Sequence, residues 1–141
     1  MKKLLMIVAI AVLAVACNKN QKAVKQLDGT WNVTSWMDTW DGASEEYIED
    51  GYSMTMLFNN CKLKDDEFCD VVLTEVSGSE SDSYAMEYRV AGYGTSLELR
   101  DTDYPSELTY LKIEEFTKEN LTLVADYGDG DKTTIVLAKE S

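Results

Sequence analysis

The side chains that could do chemistry are few in kind. The 141-residue chain holds three cysteines (Cys17, Cys61, Cys69), 26 carboxylates and no histidine. Without imidazole there is no Ser-His-Asp or Cys-His arrangement and no histidine-held metal, and the cysteines are too few for a zinc site of their own. Carboxylate chemistry is what remains. A glycosidase-type pair needs two carboxyls about 5 to 9 Å apart across a cleft. Glu114 and Glu115 are adjacent in a strand pattern and point to opposite faces unless a bulge intervenes. Glu45-Glu46, Glu49-Asp50 and Asp65-Asp66-Glu67 fall in loops, where acids are ordinarily solvated. "DYGDGD" (126–131) offers the oxygens a hard cation prefers, but it ends at Lys132, short of a twelve-position loop closed by glutamate. Two glycines among aspartates also describe a hairpin turn. The residues therefore predict no catalytic group, no metal site and no cofactor.

The elements that would position these side chains are short and β-rich. From Gly29 onward no 12-residue window has helical periodicity, and turn residues punctuate eight strand-like segments. These are Thr30–Trp36, Tyr52–Asn60, Asp70–Val76, Tyr84–Val90, Thr95–Arg100, Leu108–Phe116, Leu121–Tyr127 and Lys132–Ala138. Met37 to Gly51 reads as an acidic loop. The other connections are short, the length that joins antiparallel neighbours, whereas parallel strands need crossovers of a dozen residues or more. An eight-stranded antiparallel up-and-down barrel follows, because closure removes the exposed edges of an open sheet. A two-sheet β-sandwich is the structural alternative. The inward positions by alternation are Trp31, Val33, Met54, Met56, Phe58, Met86, Tyr88, Leu97, Leu99, Leu111, Ile113, Leu121, Leu123, Ile135 and Leu137. Barrels of this size are either filled by side chains or hold one small ligand. With three Trp, eight Tyr and three Phe, a filled core is as well supported as a ligand cavity.

The N-terminus carries a different message. Lys2 and Lys3 precede an apolar run, Leu4 to Val15, that is too short to span a bilayer as a stable helix but has the layout of an export signal. Removing residues 1–16 from 141 leaves 125, enough for one domain at 27–141. The signal takes two of the 13 basic residues, leaving 11 against 26 acids, a net charge of −15. Such a field disfavours nucleic acid as a partner. "NKNQKAVKQ" (18–26) has three lysines, no acid and few apolar residues. It reads as the greater part of a flexible tether over 17–26.

"LAVAC" (13–17) resembles the lipobox of bacterial lipoproteins. That resemblance implies cleavage before Cys17, acylation of its sulfur and new amino group, and a bacterial cell-envelope location in which the lipid chains supply the membrane partner. Asn18 after the cysteine, rather than aspartate, fits outer-membrane sorting in some such proteins. With Cys17 lipidated, Cys61 and Cys69 are left as two thiols in an exported protein, and a disulfide is expected. A nine-residue loop closed this way is worth about 2.5 kcal/mol in the chain-entropy model.

"GTW" (29–31) at the head of the first strand resembles the glycine-x-tryptophan signature of lipocalins and of lipocalin-like domains in bacterial lipoproteins. The segment 113–139 is similar to the closing hairpins of those domains. The resemblance implies a barrel-closing role for Gly29 and Trp31. Long lipocalins pack that tryptophan under an arginine beyond the last strand, where this chain has only Lys139, so no ligand-binding residue transfers. Trp31 and Trp36 are five residues apart, which in a regular strand sets them on opposite faces. Trp36, Trp40 and Tyr47 are therefore candidate contacts at a barrel rim. Two functions compete: non-enzymatic binding of a small apolar or amphipathic ligand, and a protein-interaction module, an accessory subunit or inhibitor, with a filled barrel.

Overall fold

The computed structural model describes residues 19–62 and 67–141. Cys17 and the tip of the Cys61–Cys69 loop lie outside them. One antiparallel sheet of nine strands accounts for the domain: β1 (Gly29–Trp40), β2 (Ala43–Glu46), β3 (Tyr52–Phe58), β4 (Cys69–Ser77), β5 (Glu80–Ala91), β6 (Ser96–Asp101), β7 (Leu108–Phe116), β8 (Asn120–Gly128) and β9 (Asp131–Lys139). Each strand from β3 to β9 pairs with the next, and β1 pairs with both β3 and β9. Eight strands thus close an up-and-down, lipocalin-like barrel, with β2 as one strand beyond the expected count. The sandwich alternative is overturned by the β1–β9 ladder, which joins the two ends of the meander.

Alternation decides the interior. Thirteen of the fifteen residues expected to point inward are buried, and Met86 and Ile113 pack against them partly buried. Val71, Val90 and Ala125 join the same core.

Two segments depart from expectation. The stretch 19–26, expected as a tether, is helical, and the helix runs over residues 19–27. Ala23, Val24 and Leu27, one helical stripe at i, i+1 and i+4, are buried against the barrel end, while Lys19, Lys22 and Lys25 stay outside. Burying Leu27 alone is worth about 1.5–3 kcal/mol, and polar contacts hold the helix as well. The Gln21 amide donates to the Cys61 carbonyl, the Gly94 N–H donates to Asn20 Oδ1, and Lys139 Nζ donates to the Gln26 carbonyl. The few apolar residues that made this stretch look disordered are the ones that dock it.

The second departure is 37–51. Its first half is not a loop: β1 runs on to Trp40, turns at Asp41 and Gly42, both at positive φ, and returns as β2. A two-residue Asp-Gly turn with both φ positive fits the right-handed twist of a hairpin. Met37↔Glu46 through Trp40↔Ala43 then pair in register.

Candidate functional site

The barrel has unlike ends. At one, the helix lies across the opening, with the β5–β6 and β7–β8 turns and the Cys61–Cys69 disulfide beside it. The two cysteines are bonded, with Cα atoms 5.5 Å apart. Trp31 fills the floor: it has no solvent exposure, and its indole N–H donates to the Leu27 carbonyl at 2.7 Å. Phe116 packs at a tilt, 6.3 Å between ring centroids. Lys139 Nζ sits 5.3 Å above the Trp31 ring, so this lysine covers the tryptophan in a cation–π contact. Gly29 makes that possible, because a Cβ there would meet Lys139 Cε at 3.3 Å, and its φ of +118° is one that L side chains rarely adopt. Gly29, Trp31 and Lys139 thus pack together at this end.

The core beside this floor is packed as well. Phe58 meets Tyr88 edge to face at 5.0 Å, and the Tyr88 hydroxyl donates to the Asn59 carbonyl. Burial pushes the Tyr88 phenol well above its ordinary value, with the Asp28 carboxylate adding to the effect.

The opposite half is not filled. A cavity of about 230 Å³ is lined by Trp36, Met56, Leu73, Met86, Leu99, Thr109, Leu111, Ala125, Tyr127, Thr133 and Ile135. Both earlier alternatives therefore hold in part, one in each half of the barrel. The volume lies below the ~300–1,000 Å³ of pockets for drug-sized ligands but above the ~150 Å³ known to admit benzene. Met56 and Met86 can reshape it, since thioether chains are unbranched and adaptable.

Trp36 in this wall corrects the parity expectation. The β1–β9 ladder pairs Val33 with Leu137 and Ser35 with Val136, so Thr34 is an extra residue, a β-bulge. Beyond it the alternation shifts by one. Trp36 stands opposite buried Ile135 and turns inward, so it faces the same interior as Trp31 but at the other end. The signal that could have exposed this is the register with β9, which no local pattern in β1 carries.

At the bulge β1 leaves β3 and takes β2 as its neighbour, and Glu46 bridges the break. Its carboxylate accepts the Trp36 N–H at 2.7 Å, the Ile48 N–H at 3.0 Å and the Ser35 hydroxyl at 2.5 Å. Desolvation works to raise the pKa of this carboxyl, but the bonds from Ser35 and from the Ile48, Trp36 and Tyr47 backbones outweigh it and hold the group below the usual carboxylate range. Glu46 thus positions Trp36, a role that a place in a supposed acidic loop concealed.

Trp40 and Tyr47 stand apart from the cavity wall. They are 42% and 44% exposed, Trp40 at the tip of the β1–β2 hairpin and Tyr47 just beyond β2. Of the three expected rim contacts, only Trp36 lines the space. Asp38, two residues beyond Trp36 on the same strand face, accepts the hydroxyl of cavity-lining Thr133 at 2.5 Å. Glu114 and Glu115 are both exposed, because the bulge expected as an exception does occur, between Ile113 and Glu115. The 126–131 run forms the β8–β9 turn, with Asp126 Oδ1 accepting the Gly128 N–H and Asp131 Oδ1 accepting the Asp41 N–H.

No family model and no curated protein matches the chain. Its likeness to solved structures is one of fold. Japanin from Rhipicephalus appendiculatus, solved bound to cholesterol, superposes with a TM-score of 0.54 at 12% identity, over 79% of this chain and 74% of japanin. A redesigned β-barrel matches with a TM-score of 0.50 at 15% identity, over 84% of this chain and 96% of that one. The class these define is a closed antiparallel barrel of lipocalin type.

Proposed function

We propose that this protein is a lipid-anchored envelope lipoprotein whose barrel binds one small apolar or amphipathic molecule without transforming it. The cavity behind Trp36 carries the reading: it is apolar in most of its wall, closed below by a packed core, and lined, among the described residues, by no histidine, cysteine, aspartate or glutamate. Japanin, a protein of similar fold, was solved bound to cholesterol, and that supports a binding role for this fold. Here the volume suits a more compact body, about one ring or a short chain.

The anchor and the cavity fit one geometry. Only Asn18 separates Cys17 from the helical residues, and two Cα–Cα steps span at most about 7.6 Å. Acyl chains on Cys17 therefore hold the helix-capped end near the bilayer and leave the cavity end directed away from it. Lys19, Lys22 and Lys25 on the outer helix face suit headgroup phosphates.

Two experiments test this. Cys17→Ser should move the protein from the membrane fraction to the soluble one, and an unchanged membrane pool would exclude the anchor. Native mass spectrometry of detergent-free protein should show a small co-purified or added apolar adduct bound one to one. A protein that takes up none, yet captures a stoichiometric envelope partner, would favour the interaction module instead.

A further inference from the structure

The carboxylates are not spread evenly over the barrel. The segments 38–50, 75–82, 101–107 and 126–132, which form its open end, carry fifteen of the 26 carboxylates and a single cation, Lys132. Lys19, Lys22, Lys25, Lys62, Lys118 and Lys139 lie at the helix-capped end, interspersed with Asp28, Asp70, Glu119 and Glu140, so the charges there are mixed. The field therefore runs along the barrel axis, negative where the cavity opens.

An apolar cavity beneath such a field sorts ligands by charge. Low-dielectric walls strengthen the field inside, and a charged ligand sheds part of its hydration on entering, so the sign of its head group decides whether that cost is offset. Asp38 supplies the specific contact: it is partly buried, on the strand face of Trp36, and its carboxylate accepts the Thr133 hydroxyl and bonds the Tyr47 hydroxyl as well. Trp36 in the wall, with Tyr127 beside it, adds ring faces to which a cation is attracted. The tyrosines near this end respond to the same field. Desolvation and the Glu45 and Asp38 carboxylates push the Tyr47 phenol up, and desolvation and Glu75 do the same to Tyr52.

We infer that the cavity selects an amphiphilic organic cation, a compact apolar body buried behind Trp36 with an ammonium group at Asp38, and rejects carboxylates of the same shape. This rests on the binding reading above and names the ligand class for that same cavity.

The test is a titration of the full mature protein with three probes of matched shape: 2-phenylethylammonium, 2-phenylethanol and phenylacetate. At low salt the ammonium should bind on the order of tenfold more tightly than the alcohol, and the carboxylate more weakly than either. Raising the salt should compress the order. In Asp38→Asn, whose amide oxygen can still accept from Thr133, the ammonium-to-alcohol affinity ratio should fall several-fold. Equal binding of all three, or tightest binding of phenylacetate, overturns the charge selection while leaving the cavity as a binding site. No binding of any probe overturns the binding reading itself and this inference with it.

Discussion

Leu27→Ala puts the helix docking to a quantitative test. Leu27 is fully buried between the helix and the barrel floor, and its carbonyl accepts the Trp31 indole N–H. Truncation removes three carbons from a packed site whose neighbours are held by strands, which costs about 2–5 kcal/mol. For a domain of this size each kcal/mol moves Tm by about 3–6 °C, so a fall on the order of 10–20 °C is expected. Thermal unfolding of the mature chain, carried as Cys17→Ser for solubility, reads it directly. Lys22→Ala on the outer helix face is the control and should stay within about 0.5 kcal/mol of the parent. If Leu27→Ala behaves like Lys22→Ala, residues 19–27 are a tether after all and the closed end is not built as described.

Three further perturbations separate the remaining parts. Trp31→Phe leaves the Leu27 carbonyl without its donor in a buried site and should cost about 2–4 kcal/mol, measured by urea unfolding; a change under 1 kcal/mol would argue against a closing role for Trp31. Glu46 has a lowered folded-state pKa, so its contribution is present above the unfolded value near 4.3 and is lost as pH falls through the folded one. Glu46→Gln should accordingly be less stable than the parent at pH 7, with a gap that narrows at pH 3, and an equal gap at both pH values would refute the assignment. Ala125→Leu places about three more carbons in the cavity wall; it should weaken 2-phenylethanol binding at least tenfold with little loss of stability. Undiminished binding would place the ligand elsewhere.

What the sequence made legible follows from the range over which each feature is encoded. Strand periodicity is local, so six of the eight barrel strands emerged within two residues of their bounds, β1 and β5 fell four residues short at one end, and the inward set was almost right. The closing role of Gly29 and Trp31 came from a resemblance, and the structure supplies its partner in Lys139, the residue that had looked like a departure. The helix was readable in principle, since Lys19, Lys22 and Lys25 alternate with Ala23, Val24 and Leu27 at helical spacing, but one buried stripe little more than a turn long is a faint signal beside a polar composition. The Asp41-Gly42 turn was also readable. Thr34 was not: a bulge is a property of two strands 100 residues apart, and no spacing within β1 reveals it. That single extra residue decides whether Trp36 faces solvent or the cavity, which is why the candidate site was harder to read than the fold.

The cavity behind Trp36, and not the floor under Trp31, is the proposed seat of a small molecule. The three tryptophans make it directly observable, because Trp31, Trp36 and Trp40 each contribute one indole N–H signal to a ¹H–¹⁵N spectrum. Titration with toluene, a neutral probe near the size the cavity admits, should shift the Trp36 signal saturably and leave the Trp31 signal, locked on the Leu27 carbonyl, in place. A spectrum in which Trp36 does not respond up to the solubility of toluene, or in which Trp31 moves instead, would rule this cavity out as the binding site.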